Sequence, residues 1–179
     1  WEYKLKYERR LNNDNGVIEG QVFYNQIEDH IDRVAATEII SAPGNIGDAT
    51  LYGANLKGSW RLAPVGIQGA VIDAEYRFQD SETTDPFTGK KRPMKWKPQH
   101  RILVKFRHDV TAWKLNYTVD LEWFSERFRS DITYRDKNKS LTPRLNASAQ
   151  YRLTDSLMLW ADARYILDDQ TKRSRERYL

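Results

Sequence analysis

Trp113-Lys-Leu-Asn-Tyr-Thr-Val-Asp-Leu-Glu-Trp123 alternates without a fault. Its odd positions are Trp113, Leu115, Tyr117, Val119, Leu121 and Trp123; its even positions are Lys114, Asn116, Thr118, Asp120 and Glu122. A period of two is the signature of a strand with one apolar and one polar face. The stretch is also long, since strands in globular proteins usually run to about 5–6 residues.

The pattern recurs on both sides of this stretch. Leu145 to Leu153 sets Leu145, Ala147, Ala149, Tyr151 and Leu153 against Asn146, Ser148, Gln150 and Arg152. Leu157 to Leu167 carries Leu157, Leu159, Ala161, Ala163, Tyr165 and Leu167 on one face. Tyr52 to Leu62 opposes Tyr52, Ala54, Leu56, Gly58, Trp60 and Leu62 to Asn55, Lys57, Ser59 and Arg61. Trp1 to Leu11 alternates until Arg9 interrupts the apolar face, and Ile18–Tyr24, Ile72–Phe78 and Ile102–Phe106 are shorter members. Together they predict about eight strands, most of roughly 10 residues, a length that crosses a bilayer core when tilted.

Composition narrows the class. The chain has 179 residues, enough for one domain, and we read 1–179 as a single partial β-barrel domain. The 29 Lys and Arg exceed the 25 Asp and Glu by only four, with both signs interspersed, so nucleic acid is not an expected partner. With no Cys there are no disulfides, thiolate nucleophiles or thiolate metal sites. The mean hydropathy of −0.78 fits no transmembrane helix. Position 1 is Trp inside a patterned segment, so the expectation is an internal piece or a chain freed of its leader. The other end, Arg173-Ser-Arg-Glu-Arg-Tyr-Leu179, reads as a polar loop that was cut.

The connectors alternate in length. Asn12-Asn-Asp-Asn-Gly16, Ala63-Pro-Val65, Asp109-Val-Thr-Ala112 and Thr154-Asp-Ser156 are short and rich in turn formers. Between them lie long polar loops over roughly 30–48, 79–98, 127–143 and 168 onward. Short turns on one side and long loops on the other describe an up-and-down outer-membrane barrel. A three-residue turn at 154–156 pairs Tyr151 with Leu159, Ser148 with Asp162 and Leu145 with Tyr165. Around Val104 a two-residue turn would oppose Lys105 to Lys114; a four-residue turn, which we favour, opposes Arg101 to Asp120 and Lys105 to Asn116. In the first hairpin the expectation is Arg10 opposite Glu19.

Alternation alone does not choose between a membrane barrel and a soluble lipocalin-like one, whose apolar face points inward. Three features favour lipid outside. The polar face carries full charges strand after strand. Aromatics sit near strand ends, with Tyr52, Trp60, Trp113, Trp123, Tyr151 and Tyr165 expected at the two membrane interfaces. Ala and Gly on the apolar face fill a core poorly but suit a lipid contact.

Four segments resemble TonB-dependent outer-membrane receptors. Gly47-Asp-Ala-Thr-Leu-Tyr-Gly-Ala-Asn-Leu-Lys-Gly-Ser-Trp60 resembles their "N-x-G-x-a-x-x-x-G-x-E-x-E" strand, with Asn55 and Lys57 where acids are usual. Val22-Phe-Tyr-Asn-Gln-Ile-Glu-Asp-His-Ile31 is similar to "F-Y-N-x-I-x-D-x-I". Asp85-Pro-Phe-Thr-Gly-Lys-Lys-Arg92 resembles the outer-loop "D-P-x-T-G-x-x-R", and Tyr165-Ile-Leu-Asp-Asp169 the "N-L-x-D" strand near the C-terminus. The resemblance implies a segment from the C-terminal part of a large plugged barrel in the bacterial outer membrane, without plug and without the last strands. It further implies import of a siderophore or other large nutrient chelate, energised by TonB through a plug absent from this chain.

No catalytic set stands out, so no enzyme and no cofactor are expected. His30, His100 and His108 have no metal-ligand spacing, and Asp168-Asp169 reads as a strand-end turn. The basic run Lys90, Lys91, Arg92, Lys95, Trp96 and Lys97 on an outer loop has two readings. It could contact an anionic chelate by charge and stacking, or else pair with lipopolysaccharide phosphates or simply be a solvated loop. The luminal charges Lys57, Arg61, Lys105, Arg107, Asp120, Glu122, Asp162 and Arg164 read as mostly structural, paired across strands or with a plug. The rival functions are a self-contained eight-stranded outer-membrane barrel with a structural or adhesive role, and a soluble ligand-binding β-barrel.

Overall fold

The computed structural model describes residues 1–11, 15–38, 40–168 and 170–177. Asn12, Asn13 and Asp14 of the first predicted turn, and Asp169 of the Asp168-Asp169 pair, lie outside the described residues. The structure is all-β and antiparallel. Its strands are β1 (Glu2–Leu11), β2 (Gly16–Ile27), β3 (Ile31–Ala35), β4 (Ser41–Asn45), β5 (Ala49–Arg61), β6 (Ala70–Thr84), β7 (Lys91–Arg92), β8 (His100–Val110), β9 (Leu115–Phe124), β10 (Arg127–Ser130), β11 (Tyr134–Ser140), β12 (Arg144–Arg152), β13 (Met158–Ala163) and β14 (Thr171–Arg177).

All eight alternating segments enter one meander, in the order β1-β2-β5-β6-β8-β9-β12-β13, with β7 added to the end of β6. The sheet is open: among the described residues β1 and β13 are not paired to each other. Register carries the alternation across the whole sheet. One face holds Leu5, Val22, Ala54, Phe78, then Val104, Leu121, Leu145 and their neighbours, strand against strand. The other holds Glu19, Lys57 and Glu75 in one cross-strand row, and Asp73, Lys105, Asp120 and Asn146 in another. Opposite charges thus stand side by side, which favours this register over its neighbours. Arg107 donates to Asp73 at 2.7 and 3.1 Å, and Arg101 to Glu122 at 2.8 Å.

Two registers differ from expectation. In the β8–β9 pair Lys105 faces Asp120, not Asn116, and Arg101 faces Phe124. The turn moves to Thr111–Trp113 as a 3-10 turn, closed by Lys114 at φ 51. This shift places Lys105 between Asp73 and Asp120, and it takes Trp113 out of the strand. In the first hairpin Arg10 faces Val17, and Glu8 faces Glu19. Lys6 relieves that like-charge pair, its Nζ standing 2.9 Å from Glu19 and 3.6 Å from Glu8. The third register holds: Tyr151 faces Leu159 and Ser148 faces Asp162. Its far end does not: Tyr165 takes φ 56, and Ile166 rather than Tyr165 bonds the Leu145 carbonyl, at 2.9 Å.

The expected long loops contain strands. β3 and β4 form a hairpin inside 30–48. β10 and β11 form another inside 127–143, and β14 pairs with β11 to make a three-stranded sheet. The segment from Arg173 onward is therefore a strand as far as Arg177, not a loop. These additions all attach at one end of the meander and form a crown.

Burial is concentrated where the crown meets the sheet. Ala49, Leu51 and Met94 are buried together, with Phe23 and Ile27 packed against them. By register Phe23, Leu51 and Ser81 belong to the charged face. The chain after β7 is tied down there: the Met94 amide donates to Ser81 Oγ at 3.0 Å and Gln79 Nε2 to the Pro98 carbonyl at 2.9 Å. The crown covers the end of the charged face and leaves the apolar face bare.

Candidate functional site in the crown

The outer-loop segment Asp85–Arg92 folds as a tight hairpin, and its residue spacing has a local cause. Asp85 Oδ1 accepts the amides of Phe87 at 2.9 Å and Thr88 at 3.2 Å, a side-chain-closed turn. Gly89 sits at φ 67, where a side chain would be strained. The Gly89 amide reaches the Asp85 carbonyl at 2.8 Å, and the Asp85 amide reaches that of Lys90 at 2.8 Å. The free oxygen of Asp85 then meets Arg92 Nε at 2.8 Å. Arg92 Nη2 donates to Asp32 Oδ2 at 3.0 Å, so the guanidinium ties the 85–92 hairpin to the β3–β4 hairpin. All three side chains are at most 4% exposed.

The predicted basic run is therefore divided. Arg92 is buried with its donors spent on two carboxylates and, at 3.2 Å, the Pro93 carbonyl. Lys91 is exposed and paired with Glu82. Lys90, Trp96 and Lys97 are exposed, and Trp96 takes φ 59 with its amide on the Phe128 carbonyl at 3.0 Å. Lys95 is half-buried in a cleft of about 260 Å³ with His30, Ile31, Asp32, Arg33 and Pro43. Burial pushes the His30 imidazole below its usual range, helped by Arg92 and Lys97 and opposed by Asp32.

The expected interface aromatics fall in two zones of the apolar face. At the crown end Tyr3, Tyr24 and Tyr52 form a cross-strand row, and Trp123 pairs with Ile102. At the turn end stand Trp60, Tyr151 and the displaced Trp113, which is 67% exposed. Tyr165 lies beyond the end of β13 on the crown side, half exposed.

The three His residues are not brought together. His100 Nδ1 meets the Tyr76 hydroxyl at 2.9 Å, and His108 lies between the Tyr117 hydroxyl at 3.0 Å and the Gln68 carbonyl at 3.1 Å. Among the described residues no group of three or more His, Asp or Glu could hold a metal ion.

The crown also holds a feature the sequence reading passed over. The β10–β11–β14 sheet is dominated by arginine, with Arg173 and Arg175 both donating to the buried Asp136. Its signal was present as Arg127-Phe-Arg129 and Arg173-Ser-Arg175-Glu-Arg177, a period of two written in arginine rather than in apolar residues. No protein-family model matches the chain, nor does any curated protein or solved structure.

Proposed function

We propose that this chain is a transmembrane β-barrel segment of an outer-membrane receptor of the TonB-dependent kind, which imports a siderophore or another large nutrient chelate. The observation that carries the membrane reading is the direction in which the crown folds. Met94 and its neighbours pack on the face that bears Lys57, Lys105 and Asp120, as loops folding toward a polar lumen would. The opposite face, apolar across eight strands, is left to its surroundings: Leu5 is 72% exposed, Leu56 54% and Leu159 50%. A soluble barrel would need that face inside.

The receptor reading rests on the four motif resemblances together with this architecture. An eight-stranded barrel closed on itself would need β1 to pair with β13, and a spanning sheet with bare edges is not viable in lipid. A larger barrel, in which both edges find neighbours, fits better. In this reading the crown faces outward, lipopolysaccharide surrounds it, and Lys90, Lys91, Lys95, Trp96 and Lys97 are offered to an anionic chelate. TonB would act through a plug that is not part of these residues, and no turnover chemistry is involved.

The test is a fractionation blot with an antibody to the 84–97 segment on envelopes of cells that make the protein. An outer-membrane band several times heavier than 21.1 kDa supports the receptor segment. An outer-membrane band near 21.1 kDa replaces it with a small closed barrel, and a band in the soluble fraction overturns the membrane reading.

A further inference from the structure

The three crown strands β10, β11 and β14 carry more positive charge than the whole chain. Residues 127–140 and 171–177 hold nine Lys and Arg against three Asp and Glu, a net of +6, whereas the full chain is +4. The rest of the molecule is therefore net negative, and the positive excess is gathered in one small sheet.

Register sorts these charges by type. Arg129 faces Asp136, which faces Arg175; Arg127 faces Asn138, which faces Arg173; Tyr134 faces Arg177. Five of the six arginines thus share one face, and the lysines Lys137, Lys139 and Lys172 take the other with Arg135. On the arginine face the strands supply a single carboxylate, Asp136. It accepts Arg173 at 2.5 Å and Arg175 at 2.8 and 3.1 Å, and Arg175 stacks on the Tyr134 ring at 3.9 Å. These contacts hold two guanidiniums in place. Arg127 lies over the Phe124 ring at 3.5 Å; burial depresses its basicity, the charges of Arg144 and Arg101 add to this, and Glu122 opposes it. The Nε atoms of both Arg127 and Arg129 are buried without a hydrogen-bond partner.

A row of like charges on neighbouring strands is destabilising unless something stands between them. Asp136 does this for Arg173 and Arg175, and Asp131 lies 3.8 Å from Arg129 Nη2, so two carboxylates answer the five arginines of this face. The guanidinium fork matches the oxygens of a phosphate or carboxylate two at a time. We propose that the arginine face of this sheet is a binding site for an oligoanion, a ligand with several phosphate or carboxylate groups, held chiefly by Arg127, Arg129 and Arg173. The site is distinct from the Lys90–Lys97 run. It deepens the receptor reading, in which the crown is the cargo-facing end, but its test does not depend on that reading.

The experiment is calorimetric titration of the full chain, refolded in detergent, with inorganic tripolyphosphate, with citrate, and separately with micelles containing lipid A. Saturable binding is expected, and Arg129→Gln with Arg173→Gln should weaken it at least about tenfold. Arg173→Lys, which keeps the charge and loses the fork, should weaken it about threefold. The control Lys4→Gln with Arg152→Gln removes equal charge outside the crown and should change nothing. Binding of the soluble anions assigns a free ligand; binding confined to lipid A micelles, and lost in the same variants, assigns lipid phosphate. No saturable binding to any probe, or equal weakening by the control pair, overturns the site. Circular dichroism on each variant separates lost binding from lost strands.

Discussion

The indole of Trp60 lies over Gly58, so close that a Cβ placed on Gly58 would stand 2.0 Å from the ring's Cη2. The two residues share the apolar face, one turn-end position apart on β5, and Gly58 is buried beneath the ring although the face is otherwise bare. Gly58→Ala must therefore displace the ring. A cost of about 1–3 kcal/mol is expected for such overpacking, with a shift in Trp emission. Gly20 has nothing within 4 Å of its would-be Cβ, so Gly20→Ala should be neutral or stabilise by about 0.5–1 kcal/mol. Denaturant unfolding in detergent measures both; equal effects would mean that Trp60 does not rest on Gly58.

Arg92 should be the most sensitive residue of the crown. Arg92→Met leaves Asp32 and Asp85 buried without a counter-charge, a change that costs roughly 3–5 kcal/mol at comparable sites. The loss should be local, read as new proteolytic cleavage in the 85–92 hairpin while the meander stays protected. Adding Asp32→Asn and Asp85→Asn to Arg92→Met should recover much of it, because the penalty lies in the stranded charges. An Arg92→Met crown as resistant as the native one would show the network to be dispensable.

The same network explains how far the sequence could be read. Period-two alternation located all eight meander strands, since a sheet with one apolar and one polar face writes both into every strand. Register was harder, because it depends on which turn residues leave the strand. Trp113 fits the alternation, yet it sits in a 3-10 turn, and with the turn there Lys105 faces Asp120. The crown was least legible. Its strands are polar on both sides, and its stability comes from ionic contacts to buried carboxylates such as Arg92 with Asp85 and Arg175 with Asp136, which have no periodic apolar signature. The basic run was visible as composition, but only the folded hairpin separates buried Arg92 from exposed Lys90.

Asp136 ties the arginine sheet to pH. The hydrogen bond from Arg175, and then that from Arg173, hold its carboxyl down to about 2 against the opposing effect of burial. A depressed value means the folded sheet favours the charged form. The contribution is complete above the ordinary value of 3.8 and is lost as pH falls through about 2. Amide protection in β11 and β14, taken relative to the intrinsic exchange rate at each pH, should therefore stay high at pH 4 and fall toward pH 2. In Asp136→Asn it should be lower at pH 4 and nearly flat over that window. Parallel profiles in the two proteins would assign the acid response to another group.

The β8–β9 register predicts which cysteine pairs can bond. Val104 faces Leu121, whereas the register with Lys105 opposite Asn116 would bring Val104 to Tyr117. Val104→Cys with Leu121→Cys should oxidise readily in the native sheet, and Val104→Cys with Tyr117→Cys should not. The reverse result would restore the turn at Asp109–Ala112.

The membrane reading makes its sharpest prediction at adjacent residues. Leu56 and Lys57, Val104 and Lys105, and Val119 and Thr118 are neighbours in sequence that point to opposite faces. Spin labels on cysteines replacing Leu56, Val104 and Val119 should relax with oxygen, which partitions into lipid, in protein reconstituted in bilayers. Labels at Lys57, Lys105 and Thr118 should respond instead to a water-soluble nickel complex. The alternation should persist across the sheet because register keeps the two faces continuous from β1 to β13. A soluble barrel inverts the expectation, with the Leu56 series shielded from both reagents, and that outcome would place the apolar face inside.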